Sequence, residues 1–145
     1  MILPRRRLLI GTAALLATPA GATRSDVATA IAALTKGAPV RHGRVRLDLP
    51  LLVENGNVVA MTIDVPDVLP ADQRVLSLHA FAEGNPLPHV VNAYFGPRAG
   101  RARLSTRIRL ATSQTVIAIA ACADGSFWSD SVDLLVTLAA CVEDI

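Results

Sequence analysis

The stretch that decides the fold is RARLSTRIRL, residues 101–110. Polar and less polar residues alternate along it, which is the period of a β-strand with one face in water and one face on a core. Four arginines share the wet face and are called the arginine ladder below: Arg101, Arg103, Arg107 and Arg109. The ladder suits a plain solvated sheet face, and it also suits docking of an acidic partner or an anionic group.

Six further β-rich runs flank this stretch and are separated by turn residues such as those of 54–57 and 124–125. The run 116–121 is apolar throughout, as expected of a central strand covered on both faces. Strands are predicted at 44–49, 58–65, 75–82, 90–95, 102–110, 115–121 and 132–138. Seven strands at this spacing predict an all-β sandwich or barrel.

One short helix is expected before the strands. Ser25 or Asp26 can cap its N-terminus, and residues 36–37, Lys-Gly, can end it. Apolar residues recur between these points at helical spacing: Val27, Ile31 and Leu34. With 145 residues, the chain suits one domain, which we place at 23–145.

Residues 1–22 have the order of a secretory signal. Three arginines at 5–7 precede the apolar run 8–17, and small residues at 20–22 offer a cleavage site near Ala22. A periplasmic location is therefore expected. About 20 apolar residues are needed to span a bilayer, so no stable membrane anchor is expected. The arginines fit either a twin-arginine or a general secretion signal.

Removal of this segment changes the charge of the protein. The whole chain has a formal charge of +2, but residues 1–22 hold three basic and no acidic residues. The remainder has 11 basic against 12 acidic residues, a formal charge of −1. No basic cluster with interleaved aromatic residues is left, so nucleic acid is not an expected partner.

Motifs for catalysis are absent from the sequence. His42, His79 and His89 have no metal-binding spacing, and there is no nucleophile elbow, phosphate-binding glycine loop or C-x-x-C pair. The sequence therefore predicts neither an enzyme nor a bound cofactor or metal.

The two cysteines, Cys122 and Cys141, are predicted to lie far apart. Cys122 ends the strand 115–121, whereas Cys141 follows the strand 132–138, so in a hairpin some 25 to 30 Å separates them. A disulfide needs α-carbons within about 7 Å, which argues against an internal bridge. The sequence predicts that Cys122 is a core or turn residue. Cys141 stands on a C-terminal tail, from which a thiol can enter the active site of another protein.

Six stretches together follow the pattern of one family: 43–50 (GRVRLDLP), 54–57 (ENGN), 85–88 (NPLP), 105–111 (STRIRLA), 113–116 (SQTV) and 124–128 (DGSFW). Through these signature stretches the chain resembles SoxY, the sulfur-carrier subunit of the periplasmic thiosulfate-oxidising Sox system. The resemblance covers nearly all of the chain beyond residue 22.

The resemblance implies an immunoglobulin-like β-sandwich that pairs with a second β subunit, SoxZ. It also implies that Cys141 holds sulfur intermediates covalently. A haem-containing enzyme would load thiosulfate and a hydrolase would release sulfate, while the carrier itself catalyses neither step. Cysteine suits this role because its thiolate forms and releases S–S bonds near neutral pH.

The tail departs from the glycine-rich pattern of the family. Ala139 and Ala140 precede Cys141, and Val142 and Glu143 follow it. The carrier is our first hypothesis. A second is an exported immunoglobulin-like interaction module that keeps the SoxZ-type partner face without carrier activity. A third, a thiol redox protein or metal chaperone using both cysteines, is weakest because of their predicted separation.

Overall fold

The computed structural model describes residues 22–138, so Cys141 and all but the last residue of the predicted signal segment 1–22 lie outside the described residues. One α-helix, one 3-10 turn (Ala71–Gln73) and nine strands follow in this range. The elements are α1 (Arg24–Thr35), β1 (Val40–His42), β2 (Arg46–Asp48), β3 (Leu52–Val53), β4 (Val59–Asp64), β5 (Val75–Ala82), β6 (His89–Tyr94), β7 (Arg103–Ile108), β8 (Gln114–Cys122) and β9 (Phe127–Val136). Within this range, no helix has the length and apolar character that crossing a membrane requires.

The strands form two sheets that pack face to face. The larger sheet has the order β1-β9-β8-β5-β6, with β3 also paired to β9, and the smaller has the order β2-β4-β7. Side chains from both sheets fill the space between them, and the most deeply buried include Ile63, Leu78, Ala80, Leu110, Val116 and Ala118. The predicted immunoglobulin-like all-β sandwich is confirmed.

The strand count differs from the predicted seven because β1 and β3 are additional. Each has two or three residues and pairs in parallel with β9. The last strand begins at Phe127, five residues before the predicted start at Val132. Its polar residue Asp130 faces the smaller sheet, where its carboxylate accepts a hydrogen bond from the Leu47 backbone N–H at 2.8 Å. Because this polar residue occupies an inward-facing position, the hydrophobic pattern of the sequence did not indicate the first half of the strand.

Helix α1 covers the outer face of the larger sheet. Val27 from the helix is buried with Phe81 of β5 and Ile119 of β8. The helix is capped by Thr23, so the prediction of Ser25 or Asp26 as the cap was wrong. Asp26 is instead the third helical residue and completes a capping box, in which it accepts from the Thr23 backbone N–H at 2.7 Å.

Candidate functional site

The C-terminal strand is held firmly where its described part ends. At the end of β9 and just beyond it, the backbone N–H groups of Leu135, Thr137 and Leu138 donate to carbonyls of segment 51–54 at 2.9 to 3.2 Å. The Leu138 carbonyl in turn accepts from the Gly56 N–H at 2.9 Å. We call residues 135–138 with segment 51–56 the tail base, because Cys141 follows three residues later.

Two neighbouring loops strengthen the tail base. The Gly56 carbonyl accepts from the Leu110 N–H at 2.8 Å, which links the tail base to the chain just after β7. The Ser113 hydroxyl accepts from the Val136 N–H at 2.9 Å, which links it to the chain just before β8. The last described residues are therefore held from two sides of the sandwich.

Asn85 ties these loops to the loop between β5 and β6. Its side-chain amide donates to the Arg109 carbonyl at 2.9 Å, and its amide oxygen accepts from the Ala111 N–H at 2.9 Å and from Gln114 Nε2 at 3.1 Å. Gln114 Oε1 accepts from the Gly84 N–H at 2.8 Å. Gly84 leaves room for this approach, since a Cβ there would lie 2.7 Å from a Thr112 side-chain carbon.

Four signature stretches thus meet at one end of the sandwich, although they are spread over about 60 residues of sequence. They are 54–57, 85–88, 105–111 and 113–116. All four were recognised in the sequence, but their contacts were not predicted because these are long-range. All of them lie at the end of the sandwich that contains the tail base.

Asn85→Ala is expected to lower the free energy of unfolding by about 2–3 kcal/mol, because three hydrogen bonds at a partly buried junction are lost. Urea denaturation measures this. Asn55→Ala is the matched control, since Asn55 makes one turn bond to the Asn57 N–H in an exposed position and should cost under about 1 kcal/mol. Equal losses in the two variants would show that Asn85 does not organise this end.

Cys122 lies at the opposite end of the sandwich. It is the last residue of β8, is 3% exposed and belongs to the core. Its backbone N–H donates to the Ser126 carbonyl at 2.9 Å in the turn that leads into β9. Burial raises the pKa of the Cys122 thiol, which disfavours the nucleophilic thiolate. The prediction of a core or turn residue is confirmed.

Strand β9 sets the separation between Cys122 and the tail base. It runs for ten residues from the Cys122 turn to the tail base, a length of about 30 Å. Cys141 itself lies outside the described residues, so its predicted distance from Cys122 stays a prediction.

The signature stretches 43–50 and 124–128 build the Cys122 end. The Trp128 ring lies 4.4 Å from the Arg44 guanidinium carbon and 5.4 Å from that of Arg41. Its indole N–H donates to the Ser126 hydroxyl at 3.1 Å. These contacts give Trp128 a structural role, because the two guanidinium groups stack on its ring and its indole N–H has a hydrogen-bond acceptor.

Two of the three histidines are neighbours in the fold, with the ring centroids of His79 and His89 5.7 Å apart. His79 is 2% exposed, and its Nδ1 lies 2.9 Å from Asn92 Oδ1 while its Nε2 lies 2.8 Å from the Ser77 hydroxyl. Burial lowers the pKa of His79, which favours the neutral ring. The His89 ring stacks on Phe81 with centroids 4.6 Å apart. Across residues 22–138, no group of three histidine, cysteine or acidic side chains is placed to hold a metal ion.

The arginine ladder is an exposed face, as its alternation predicts. Arg103 and Arg107 are exposed on β7, while Leu104 and Ile108, each of which follows one of them in sequence, turn toward the core. β7 is an edge strand of the smaller sheet. Arg101 forms an ion pair with Asp64 of β4.

Comparison with known families gives one match that covers most of the chain. A family described as sulfur oxidation protein SoxY matches residues 31–141, a range that includes Cys141. Among curated proteins, none matches this chain at a significant level.

Solved structures share the fold at low sequence identity. A variant of the superoxide reductase (neelaredoxin) from Ignicoccus hospitalis aligns with a TM-score of 0.56 and 18% identity, over 72% of this chain and 86% of that one. A hypothetical protein from Pyrococcus horikoshii OT3 aligns with a TM-score of 0.53 and 13% identity, over 66% of this chain and 95% of that one. These similarities concern the fold alone.

Proposed function

This chain belongs to the SoxY family of sulfur oxidation proteins and so has a role in the Sox system, and from that premise we propose that it is an exported carrier which holds sulfur intermediates on Cys141. It is not an enzyme in this proposal. Client enzymes act on the cargo, and the chain presents it to them.

The tail base is the observation that carries this proposal. Four signature stretches converge there, and the described end of the chain is fixed by hydrogen bonds up to Leu138. An extended chain spans at most about 3.6 Å per residue, so the three residues from Leu138 to Cys141 span at most about 11 Å. A thiol this close to a fixed point of the fold suits a carrier, because every client would meet it in the same small region.

Cysteine chemistry supplies the covalent steps of the carrier. The Cys141 thiolate and the outer sulfur of thiosulfate form an S–S bond, and the two electrons released pass to the haem-containing loading enzyme. Water then attacks the terminal sulfonate in the hydrolase, which releases sulfate and two protons and leaves a persulfide on Cys141. The buried thiol of Cys122, at the other end of the sandwich, is unsuited to this exchange.

A SoxZ-like β subunit is the proposed partner, and the periplasm is the proposed location. Leu51, Leu52 and Leu135 are 59 to 70% exposed, and Leu52 lies beside Leu135 in the register of β3 and β9. Exposed apolar side chains that adjoin one another suit a protein interface. The secretory pattern of residues 1–22 supports export.

A second candidate is the interaction module without carrier activity. Alanine and valine take the place of the family's glycines around Cys141, which restricts the backbone of the tail. The exposed leucines serve this candidate equally well, because they concern only the partner.

Intact mass spectrometry separates the two candidates. Protein purified from cells given thiosulfate is expected to carry a thiosulfonate or persulfide adduct. The adduct should be lost in Cys141→Ala and kept in Cys122→Ala, which is the matched control. A thiol that is unmodified under all such conditions would leave the interaction module as the better account.

A further inference from the structure

Strand β7 has one edge without a neighbouring strand. Within residues 22–138, it pairs with β4 alone. The Val65 N–H donates to the Ala102 carbonyl at 2.9 Å, immediately before β7 begins. Because the backbone groups of successive residues point to opposite edges of a strand, residues 104, 106 and 108 then bond to β4. The backbone groups that point away from β4 are those of Arg103, Ser105 and Arg107.

The opposite edge of the smaller sheet is closed by a carboxylate. Strand β2 forms that edge, where the Leu47 N–H donates to the side chain of Asp130 at 2.8 Å. Within residues 22–138, no side chain makes an equivalent bond to the backbone of β7. The first such bond comes after the strand ends, where Asn85 donates to the Arg109 carbonyl at 2.9 Å. The edge over Arg103–Ile108, about 20 Å long, is therefore open to a strand from outside.

The outer face beside this edge has uncompensated positive charge. Arg103 and Arg107 are both exposed there. Opposite Arg103 in the register lies Asp64, which already forms an ion pair with Arg101. Opposite Arg107 lies Ala60, which has no charge. Within residues 22–138, no ion pair involves Arg103 or Arg107, so an added strand gains cross-strand ion pairs where its outward residues are acidic.

The inner side of the same edge is apolar. A groove of about 430 Å³ lies between β7 and β6, the edge strand of the larger sheet. Half-buried Val90 and Val91 of β6 line it together with Ile108 of β7. Of the described residues that line the groove, none is acidic. Because side chains alternate between the two faces of a strand, a strand on β7 would direct every second residue at this groove, where apolar residues gain burial.

A second copy of this chain does not suit the edge. If two β7 strands paired in antiparallel orientation about Ser105, Arg103 of one copy would lie opposite Arg107 of the other. Like charges directly opposite each other destabilise a strand pair. Charged side chains on edge strands are a common protection against self-association. The occupant is therefore a different protein.

We propose that β7 accepts an antiparallel strand from an acidic partner protein, in which acidic residues alternate with apolar ones. The acidic residues pair with Arg103 and Arg107, and the apolar residues cover the groove. The backbone of the added strand bonds to the free groups of β7. This surface is separate from the exposed leucines of β3 and β9, since β9 and β6 lie toward opposite sides of the larger sheet. It serves a carrier and an interaction module alike, so it does not rest on sulfur cargo.

A peptide of this pattern tests the proposal on the secreted chain, residues 23–145. The probe is a fluorescein-labelled ten-residue peptide of alternating glutamate and valine, and fluorescence anisotropy at low ionic strength gives its Kd. Arg103→Gln with Arg107→Gln is expected to raise the Kd about fivefold, since two exposed ion pairs are lost. The control removes the same charge from α1 and β1. In that variant, Arg24→Gln with Arg41→Gln, the Kd should be unchanged.

Backbone pairing is tested by methylating the probe. N-methylation of its glutamate amides removes the donors that face β7 in an antiparallel pair, whereas N-methylation of its valine amides removes donors that face away. The first change should raise the Kd at least about tenfold, since three backbone hydrogen bonds are lost, and the second should leave it unchanged. Amide exchange followed by NMR should slow at Arg103, Ser105 and Arg107 when the unmethylated probe is bound.

Two results would overturn the proposal. One is the absence of saturable binding of the unmethylated probe, which would mean that the arginines only protect the edge. The other is an equal Kd for the two methylated probes, which would mean that charge attraction alone holds the peptide. Neither result involves a cysteine, so failure of the carrier proposal in mass spectrometry is distinguishable from failure of strand addition.

Discussion

Phe81→Ala is expected to lower the free energy of unfolding by about 3–5 kcal/mol. Phe81 is 1% exposed, and its ring packs with Val27 of helix α1 and Ile119 of β8 on the outer face of the larger sheet. It also stacks on the His89 ring. Truncation would leave a cavity directly under the helix, so the variant should lose both core packing and the docking of α1. Urea denaturation followed by circular dichroism measures the loss.

A matched control for this variant is Leu87→Ala, which removes a large side chain that is 74% exposed. Its free energy of unfolding should change by no more than about 0.5 kcal/mol. A loss below about 1 kcal/mol for Phe81→Ala would contradict the packing of α1 on the sheet. The α1 contact would then contribute little to the stability of the fold.

The Cys122 thiol is expected to react at least about 1000-fold more slowly in the folded protein than in denaturant. The reason is its burial: the thiol becomes accessible only when the strand pair β8–β9 opens, and burial also raises its pKa. A Cys141→Ala variant isolates this thiol. Its rate of reaction with 4,4′-dithiodipyridine is compared with and without urea.

Cys122→Ala provides the opposite case, since it retains only Cys141. Its reaction in the folded state should be much faster than that of Cys141→Ala. Rapid reaction of Cys122 in the folded protein would mean that the end of β8 opens readily, and that the fold offers two usable thiols. The redox hypothesis, weakest at present, would then regain support.

The sandwich was largely predictable from local patterns. The alternation in 101–110 placed β7 and the wet face of its arginines correctly, and the apolar run 116–121 lies in the central strand β8. Such patterns show whether each residue faces the core or the solvent. This orientation depends mainly on the polarity of the residue's own side chain, so it can be predicted locally. Strands β1 and β3 escaped prediction because their pairing with β9 defines them.

The candidate site was less predictable than the fold. Cys141 was selected by its position and by resemblance, but the tail base depends on contacts of Leu138 and Val136 with residues far away in sequence. The role of Asn85 is a further example, since its three partners lie 24 to 29 residues away. No local pattern encodes such pairings. The helix cap was predicted at the wrong residue because Thr23, Ser25 and Asp26 are all good capping residues, so the sequence did not distinguish between them.

If Cys141 holds cargo as proposed, its separation from Leu138 by only three residues has a consequence for the traffic between enzymes. Cargo that stays within about 11 Å of the tail base would require every client to bring its own active site to the same small area of the sandwich. Two clients could not occupy that area together, so they would take turns. The proposed carrier would therefore impose an order of exchange, in which one enzyme has to leave before the next can begin.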